Sequence, residues 1–208
     1  APFQVHELRT VGINARDARQ VLAANPQQLQ LGGYDDASIV TQSGFSLSEL
    51  TSCGAVRINQ YAHIQRLVLA EFYSCTSSGV PVSAIRLDRK DADNVKHDGW
   101  RRDFNWCSSR PIGDWYGVTT DSRRNVVMID LRGNRLRGAL PPCMRLLQTL
   151  ETFDVHDNEL TGPLALWLAE LPALRVLNIN TNFLDQTAES QQTLSVLSKA
   201  LPNCLIRA

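Results

Sequence analysis

The 208-residue chain has no surplus of either charge: 21 Lys+Arg stand against 21 Asp+Glu, for a formal net charge of zero. Neutralising phosphates takes a cationic excess, so this balance argues against a nucleic-acid partner. No apolar run approaches the ~18 residues that a membrane-crossing helix needs; the greasiest stretch, from Leu164 to Leu171, is short and carries Glu170. The five cysteines (Cys53, Cys75, Cys107, Cys143 and Cys204) are odd in number and form no C-x-x-C pair, unlike a disulfide framework or a structural zinc site. There is no N-x-[ST] acceptor, which disfavours a glycosylating secretory route and tips the expected location towards intracellular or organellar. The chain opens Ala1-Pro2-Phe3 without Met or a leader pattern, which suggests a processed or trimmed product.

Signatures of chemistry are equally sparse. The four histidines (His6, His63, His97 and His156) are scattered, none beside a Ser or Cys in a nucleophile setting, so no catalytic residue is assigned and no enzyme is expected. Gly32-Gly33 is too short for a phosphate loop. The run from Asp91 to Gly99 has some features of a calcium loop, but Val95 breaks the ligand pattern and Arg102 stands where the closing Glu belongs. No metal or cofactor is expected. Arg101-Arg102 and Arg123-Arg124 are balanced by neighbouring aspartates and read as solvated faces. With 43% hydrophobic and 20% charged residues the composition is that of an ordinary soluble domain. A chain of this size buries roughly 70% of its unfolded surface without needing staples.

What the sequence does have is internal repetition. Asn134, Asn158 and Asn182 are evenly spaced, and so are Leu136, Leu160 and Leu184; Leu131, Val155 and Ile179; Ile129, Phe153 and Leu177; and Val126, Leu150 and Leu174. Apolar–polar alternation before each Asn marks a short strand with one face buried. One such unit cannot bury its own apolar row, whereas stacked copies merge their rows into a continuous core. An Asn at every turn is expected to form a structural ladder, because a buried amide left unpaired costs roughly 1–3 kcal/mol.

These residues resemble the leucine-rich repeats, and more narrowly their plant-type class with the motif LxxLxxLxLxxNxLxGxIP. The first unit starts at Val126 and runs to Pro141; the second starts at Leu150 and the third at Leu174. The third departs after its Asn, with Gln186 in place of Gly and Ala188 in place of Leu, then takes helical spacing through Leu194, Leu197 and Leu201. The segment Cys204-Leu205-Ile206 is expected to form a terminal capping strand. Trp100, Trp106 and the run Trp115-Tyr116-Gly117-Val118-Thr119-Thr120 are similar to the cap that precedes such repeats, with Thr120 where its cysteine would be. The usual cap disulfide is therefore not expected for Cys107. The resemblance covers about residues 61–205. It implies an α/β fold: a short right-handed solenoid with parallel concave strands, a helical N-terminal cap and an extra N-terminal segment.

Three regions are expected. Residues 1–58 match no family; Asn14 caps a helix to Ala24, 29–43 read as loop or weak strand, Ser46-Leu-Ser-Glu49 has capping-box form, and the whole suits either a separate subdomain or, given its thin apolar content, a partner-binding arm. Residues 59–125 form the cap, with a helix from Asn59 to Ser74 covering the open edge of the first strand and an inserted loop at 76–99. Residues 126–208 hold three repeats and the terminal strand.

Between the buried strand positions, Met128, Asp130 and Arg132, Thr152, Asp154 and His156, and Val176, Asn178 and Asn180 are expected to project from the concave face. Bare Asp130 and Asp154 side by side would favour a basic contact unless Arg132 or a neighbour neutralises them. At ~4.8 Å per strand the platform spans only about 15 Å. A standard interface of ~800 Å² per partner would also need the cap or residues 1–58. The expected function is non-enzymatic protein–protein interaction, with a permanent subunit of a larger assembly and a hydrolase inhibitor or regulator as alternatives.

Overall fold

The computed structural model describes residues 28, 29, 39, 61–77 and 99–208. The helix from Asn14, the capping box at Ser46, the interior of the 76–99 insertion and the loop from Asp91 lie outside the described residues, as does the expected helix start at Asn59. The chain divides into two compact units, Ala1–Val68 and Leu69–Ala208. In the first, Leu29 and Ile39 are helical and buried, not loop or weak strand. Burial of both side chains overrides the Gly- and Asp-bearing local composition.

Helix α1 spans Tyr61–Thr76 and so runs two residues past the expected Ser74. Its end is explained by hydrogen bonding: Thr76 Oγ1 donates to Phe72 O at 2.6 Å, and Trp100 Nε1 donates to the Thr76 carbonyl at 3.0 Å, satisfying an orphan acceptor of the last turn. Phe72 and Tyr73, both fully buried, enter an aromatic cluster with Trp100, Trp106 and Trp115. Ring centroids lie 4.7 Å apart for Trp100–Trp106 and 5.2 Å for Trp106–Trp115, and Phe72 meets Phe153 edge-on at 6.2 Å. Offset and edge-on pairs of this kind add to the burial energy of the rings. Tyr73 hydroxyl donates to Asp103 at 2.9 Å, and burial followed by the Asp103 charge pushes its pKa up.

Downstream, β1 (Val118–Thr120), β2 (Val126–Asp130), β4 (Thr152–Asp154), β6 (Val176–Asn178) and β8 (Leu205–Arg207) form one sheet in that order. β2, β4, β6 and β8 are mutually parallel, with Ile129 opposite Phe153, Phe153 opposite Leu177 and Leu177 opposite Ile206. Val126, Ile129, Leu131, Leu150, Phe153, Val155, Leu177 and Ile179 are all buried, so the repeated apolar columns form the core. A second sheet joins β3 (Arg137–Gly138), β5 (Glu159–Gly162) and β7 (Phe183–Leu184). The return legs are 3-10 turns at Pro142–Leu146 and Leu166–Glu170, then helix α2, Ala188–Ala200. Thr187 caps α2, its hydroxyl accepting from Ser190 N at 3.2 Å.

The first repeat strand is not edged by the helix as expected. β1 pairs antiparallel with β2 instead, Val118 facing Ile129. The chain reverses through a turn in which Asp121 Oδ1 accepts from Arg123 N and Asn125 N, both at 2.8 Å. These bonds, led by those to Asn125, hold the Asp121 carboxyl below its ordinary pKa. Gly117, at φ +76, sits where a Cβ would run into the Asp130 carbonyl, and its own carbonyl accepts from Asp130 N at 2.7 Å.

The asparagines tie successive turns together. Asn158 Oδ1 accepts from Asn134 N and Leu136 N, both at 2.9 Å, while Nδ2 donates to Leu131 O, Val155 O and His156 O at 2.9, 2.8 and 3.1 Å. Asn182 repeats this with Leu160 N at 3.0 Å and with Val155 O, Ile179 O and Asn180 O. Among the described residues no repeat precedes Asn134. Arg102 takes that place, donating its N–H to Asn134 Oδ1 at 2.8 Å and accepting from Nδ2 at 2.9 Å. Asn134 and Asn158 are buried, whereas Asn182 is half-buried.

Candidate functional site

Parallel pairing sets the expected side chains into rows. Met128, Thr152 and Val176 stand opposite one another, and so do Asp130, Asp154 and Asn178. Arg132, His156 and Asn180 follow where the strands end: Gly133 N donates to His156 O at 3.0 Å and Asp157 N to Asn180 O at 3.2 Å. Because β8 pairs with β6, Leu205 extends the first row and Arg207 the second. Both lie one strand beyond the last recognisable repeat motif, which is why sequence columns did not pick them out. Leu205 is 51% exposed.

Of the nine residues expected to project, Arg132 and Asn180 are exposed, while Met128, Asp130, Thr152, Asp154, His156 and Val176 are half-buried. Asn178 departs from the expectation: it is buried. Its Nδ2 lies 3.3 Å from Asp154 Oδ2 and 3.0 Å from His156 Nδ1, so its amide is drawn into its neighbours rather than outwards.

Both aspartates find partners within the face. Arg132 Nη2 meets Asp130 Oδ2 at 2.8 Å. His156 Nδ1 lies 2.7 Å from Asp154 Oδ1, and the His156 backbone N–H donates to the same oxygen at 3.2 Å. That geometry lets Nδ1 donate to the aspartate, and a protonated Nδ1 cannot also accept from Asn178, whose amide then donates to Asp154. Burial alone would raise the Asp154 pKa, but the hydrogen bonds from His156 and Asn178 outweigh it and hold the carboxyl below its ordinary value. The face therefore presents a hydrogen-bonded Asp–His–Asn cluster beside an Arg–Asp pair, suited to polar recognition.

The three tryptophans expected in the cap, Trp100, Trp106 and Trp115, are buried and do not contribute to this face. Cys107 is a free thiol, as are Cys75, Cys143 and Cys204. Burial, then the neighbouring Glu71 charge, pushes the Cys75 thiol up to about 12, and the same two causes raise Cys143. Among the described residues there is no cluster of His, Cys, Asp and Glu that could hold a metal ion, and no helix is long and apolar enough to cross a membrane.

No family model matches the chain. It is similar to the LRR receptor-like serine/threonine-protein kinase GSO2 of Arabidopsis thaliana, 28% identical over 136 residues, covering 60% of this chain and 11% of that protein. It is also similar to Receptor-like protein 43 of Arabidopsis thaliana, 37% identical over 54 residues, 26% of this chain and 8% of that protein. The chain thus spans only about a tenth of the length of these curated relatives. Among solved structures, the BIR2 ectodomain from Arabidopsis thaliana is 16% identical with a TM-score of 0.43, covering 66% of this chain and 75% of that one. The BIR3–SERK2 complex from the same plant gives 24% identity and a TM-score of 0.34 over 36% of this chain and 42% of that one. These superpositions are partial, and the assignment rests on the repeat itself and its curated relatives. Parallel strands in repeat register, an asparagine serving each turn and these curated relatives mark the chain as similar to plant-type leucine-rich-repeat proteins.

Proposed function

We propose that the chain is a non-enzymatic protein–protein interaction module. In this reading the second unit is a short right-handed solenoid whose concave face carries Met128, Asp130, Arg132, Thr152, Asp154, His156, Val176, Asn178 and Asn180, extended by Leu205 and Arg207. Residues 59–125 act as its cap, 126–208 supply three repeats and a capping strand, and 1–58 serve as a further partner-binding segment. The observation that carries the reading is the in-register row of polar groups from Asp130 to Arg207 on one sheet face. Its internally satisfied charges avoid the cost of stranding a carboxylate when a partner displaces water.

Asn178 contributes by positioning: from its buried seat it holds Asp154, which in turn orients the His156 ring towards the partner. Crosslinking mass spectrometry on native material tests the reading. Crosslinks from the exposed Lys199 to another chain would identify the partner and the end of the solenoid it approaches. Replacing Asp130, Asp154 and His156 together with alanine should abolish that association, and unchanged association would remove the concave face from consideration.

A further inference from the structure

Arg101 and Arg102 lie far from the first repeat turn in sequence, yet the structure seats them on it. Arg101 N donates to Asn134 O at 2.9 Å, and Arg102 exchanges two hydrogen bonds with the Asn134 amide. Arg132 and Arg135 flank that asparagine on its own strand-to-turn segment. All four arginines are exposed around one buried amide. Carboxylates are scarcer there: Asp130 is engaged by Arg132, Asp103 accepts from Tyr73, and the Asp157 carboxylate lies beside Gly133. Among the described residues, no ion pair involves Arg101, Arg102 or Arg135.

Two of these guanidinium groups are already ordered. Arg102 Nη1 donates to the Tyr116 hydroxyl at 2.9 Å, with Cζ 5.7 Å from the Tyr116 ring centroid. Arg101 Nη1 reaches Gly133 O at 3.3 Å. Each bond uses one donor of a five-donor fork and holds the rest in place, so less rotamer entropy is lost when an anion arrives. Arg135 stands on the turn at φ 62. Beside the cluster in sequence, Phe104 is 59% exposed while its carbonyl accepts from Tyr116 N at 2.9 Å. A bare anion has no use for an exposed phenyl ring; a peptide carrying an apolar side chain next to its carboxylates does.

We propose that this arginine-ringed turn docks an acidic segment of a protein partner, its carboxylates received by Arg101, Arg102 and Arg135 and an adjacent apolar residue by Phe104. The proposal rests on the protein-binding reading and adds the partner's chemistry. Neutral overall composition conceals the site, because it forms only when Arg101-Arg102 folds onto a distant turn.

The test is fluorescence anisotropy of the full chain with two labelled peptides of about ten residues, one of Glu and Leu and one of Lys and Leu. The acidic peptide should bind, more weakly as salt rises, and the basic peptide should not. Arg101→Gln with Arg135→Gln should raise the acidic peptide's Kd about tenfold or more, since charge-assisted fork contacts are lost. Arg135→Gln alone should raise it measurably, which keeps the test open if the double variant folds poorly. Phe104→Ala should weaken the acidic peptide but leave a heparin-derived oligosaccharide unaffected. Equal binding of both peptides, an unchanged Kd in the double variant, or tighter binding of the oligosaccharide than of the acidic peptide would overturn the proposal. Peptide binding reports on this turn, whereas crosslinks from Lys199 report on the concave face, so either reading can fail while the other stands.

Discussion

Asn158→Ala is the sharpest probe of what holds the stacked turns. The side chain touches five backbone groups: Oδ1 accepts two hydrogen bonds, and the two Nδ2 hydrogens reach three carbonyls, one hydrogen being shared. Truncation strands the backbone N–H groups of Asn134 and Leu136, both buried residues. An unsatisfied buried donor costs about 1–3 kcal/mol, so two give about 2–6 kcal/mol before relaxation. The three carbonyls add less, because under-satisfied acceptors are better tolerated than orphaned donors; Val155 O also keeps its bond from Asn182. An alanine-sized void in place of the amide leaves room for a water, which would trim the loss. A destabilisation of about 3 kcal/mol is expected. Urea unfolding followed by the fluorescence of the buried tryptophans should show a lower midpoint with an unchanged slope. The matched control is Asn182→Ala, which strands a single donor, the N–H of buried Leu160, and should cost about half as much, about 1–3 kcal/mol. Equal losses at the two positions, or a neutral Asn158→Ala, would refute the argument that the amides act through burial of backbone donors.

Three further outcomes follow from geometry described above. Gly117→Ala combines a left-handed φ with a clash against the Asp130 carbonyl, and should cost about 2–4 kcal/mol in the same urea assay. The Asp154 carboxyl has a depressed folded-state pKa, so its contribution is present above the unfolded-state value and is lost as pH falls through the folded one. Stability measured against pH should therefore drop on the acid side, with a shallower drop for Asp154→Asn; an identical acid limb in the variant would contradict the hydrogen-bond assignment. With its thiol pushed up to about 12, Cys75 at about pH 8 is thiolate in only on the order of one molecule in ten thousand. Iodoacetamide should label it, and the buried Cys143, far more slowly in the native chain than in urea, as read by peptide mass spectrometry.

The repeat columns were legible because burial at a fixed interval leaves a periodic trace: Ile129, Phe153 and Leu177 fall opposite one another in adjacent strands. The helical run through Leu197 was legible for the same reason. Less visible were features set by single contacts. Nothing in the period shows that Asn178 turns inward, since that depends on Asp154 and His156 lying within hydrogen-bond reach across the sheet. Val118–Thr120 is too short to announce a strand, and its antiparallel pairing depends on the backbone that Gly117 makes possible. The seat of Arg101-Arg102 on the first turn was hidden altogether, because it joins residues 32 apart through backbone groups that carry no sequence signature.

Serving Asn134 from a non-repeat segment has a consequence for how this chain tolerates length change. Asn134 and Asn158 stand 24 residues apart and ask the same thing of whatever precedes them, an N–H for the amide oxygen and a carbonyl for the amide nitrogen. Excising 134–157 would carry Asn158 to the position where Arg102 already offers both groups. Such a shortened protein loses one layer of thickness and keeps the Asn158 amide served, whereas a cut of half that length throws every later side chain out of step. A whole layer thus comes out cleanly at the asparagine column, while the return leg is where a layer's length can vary, as the helix ahead of Leu205 shows.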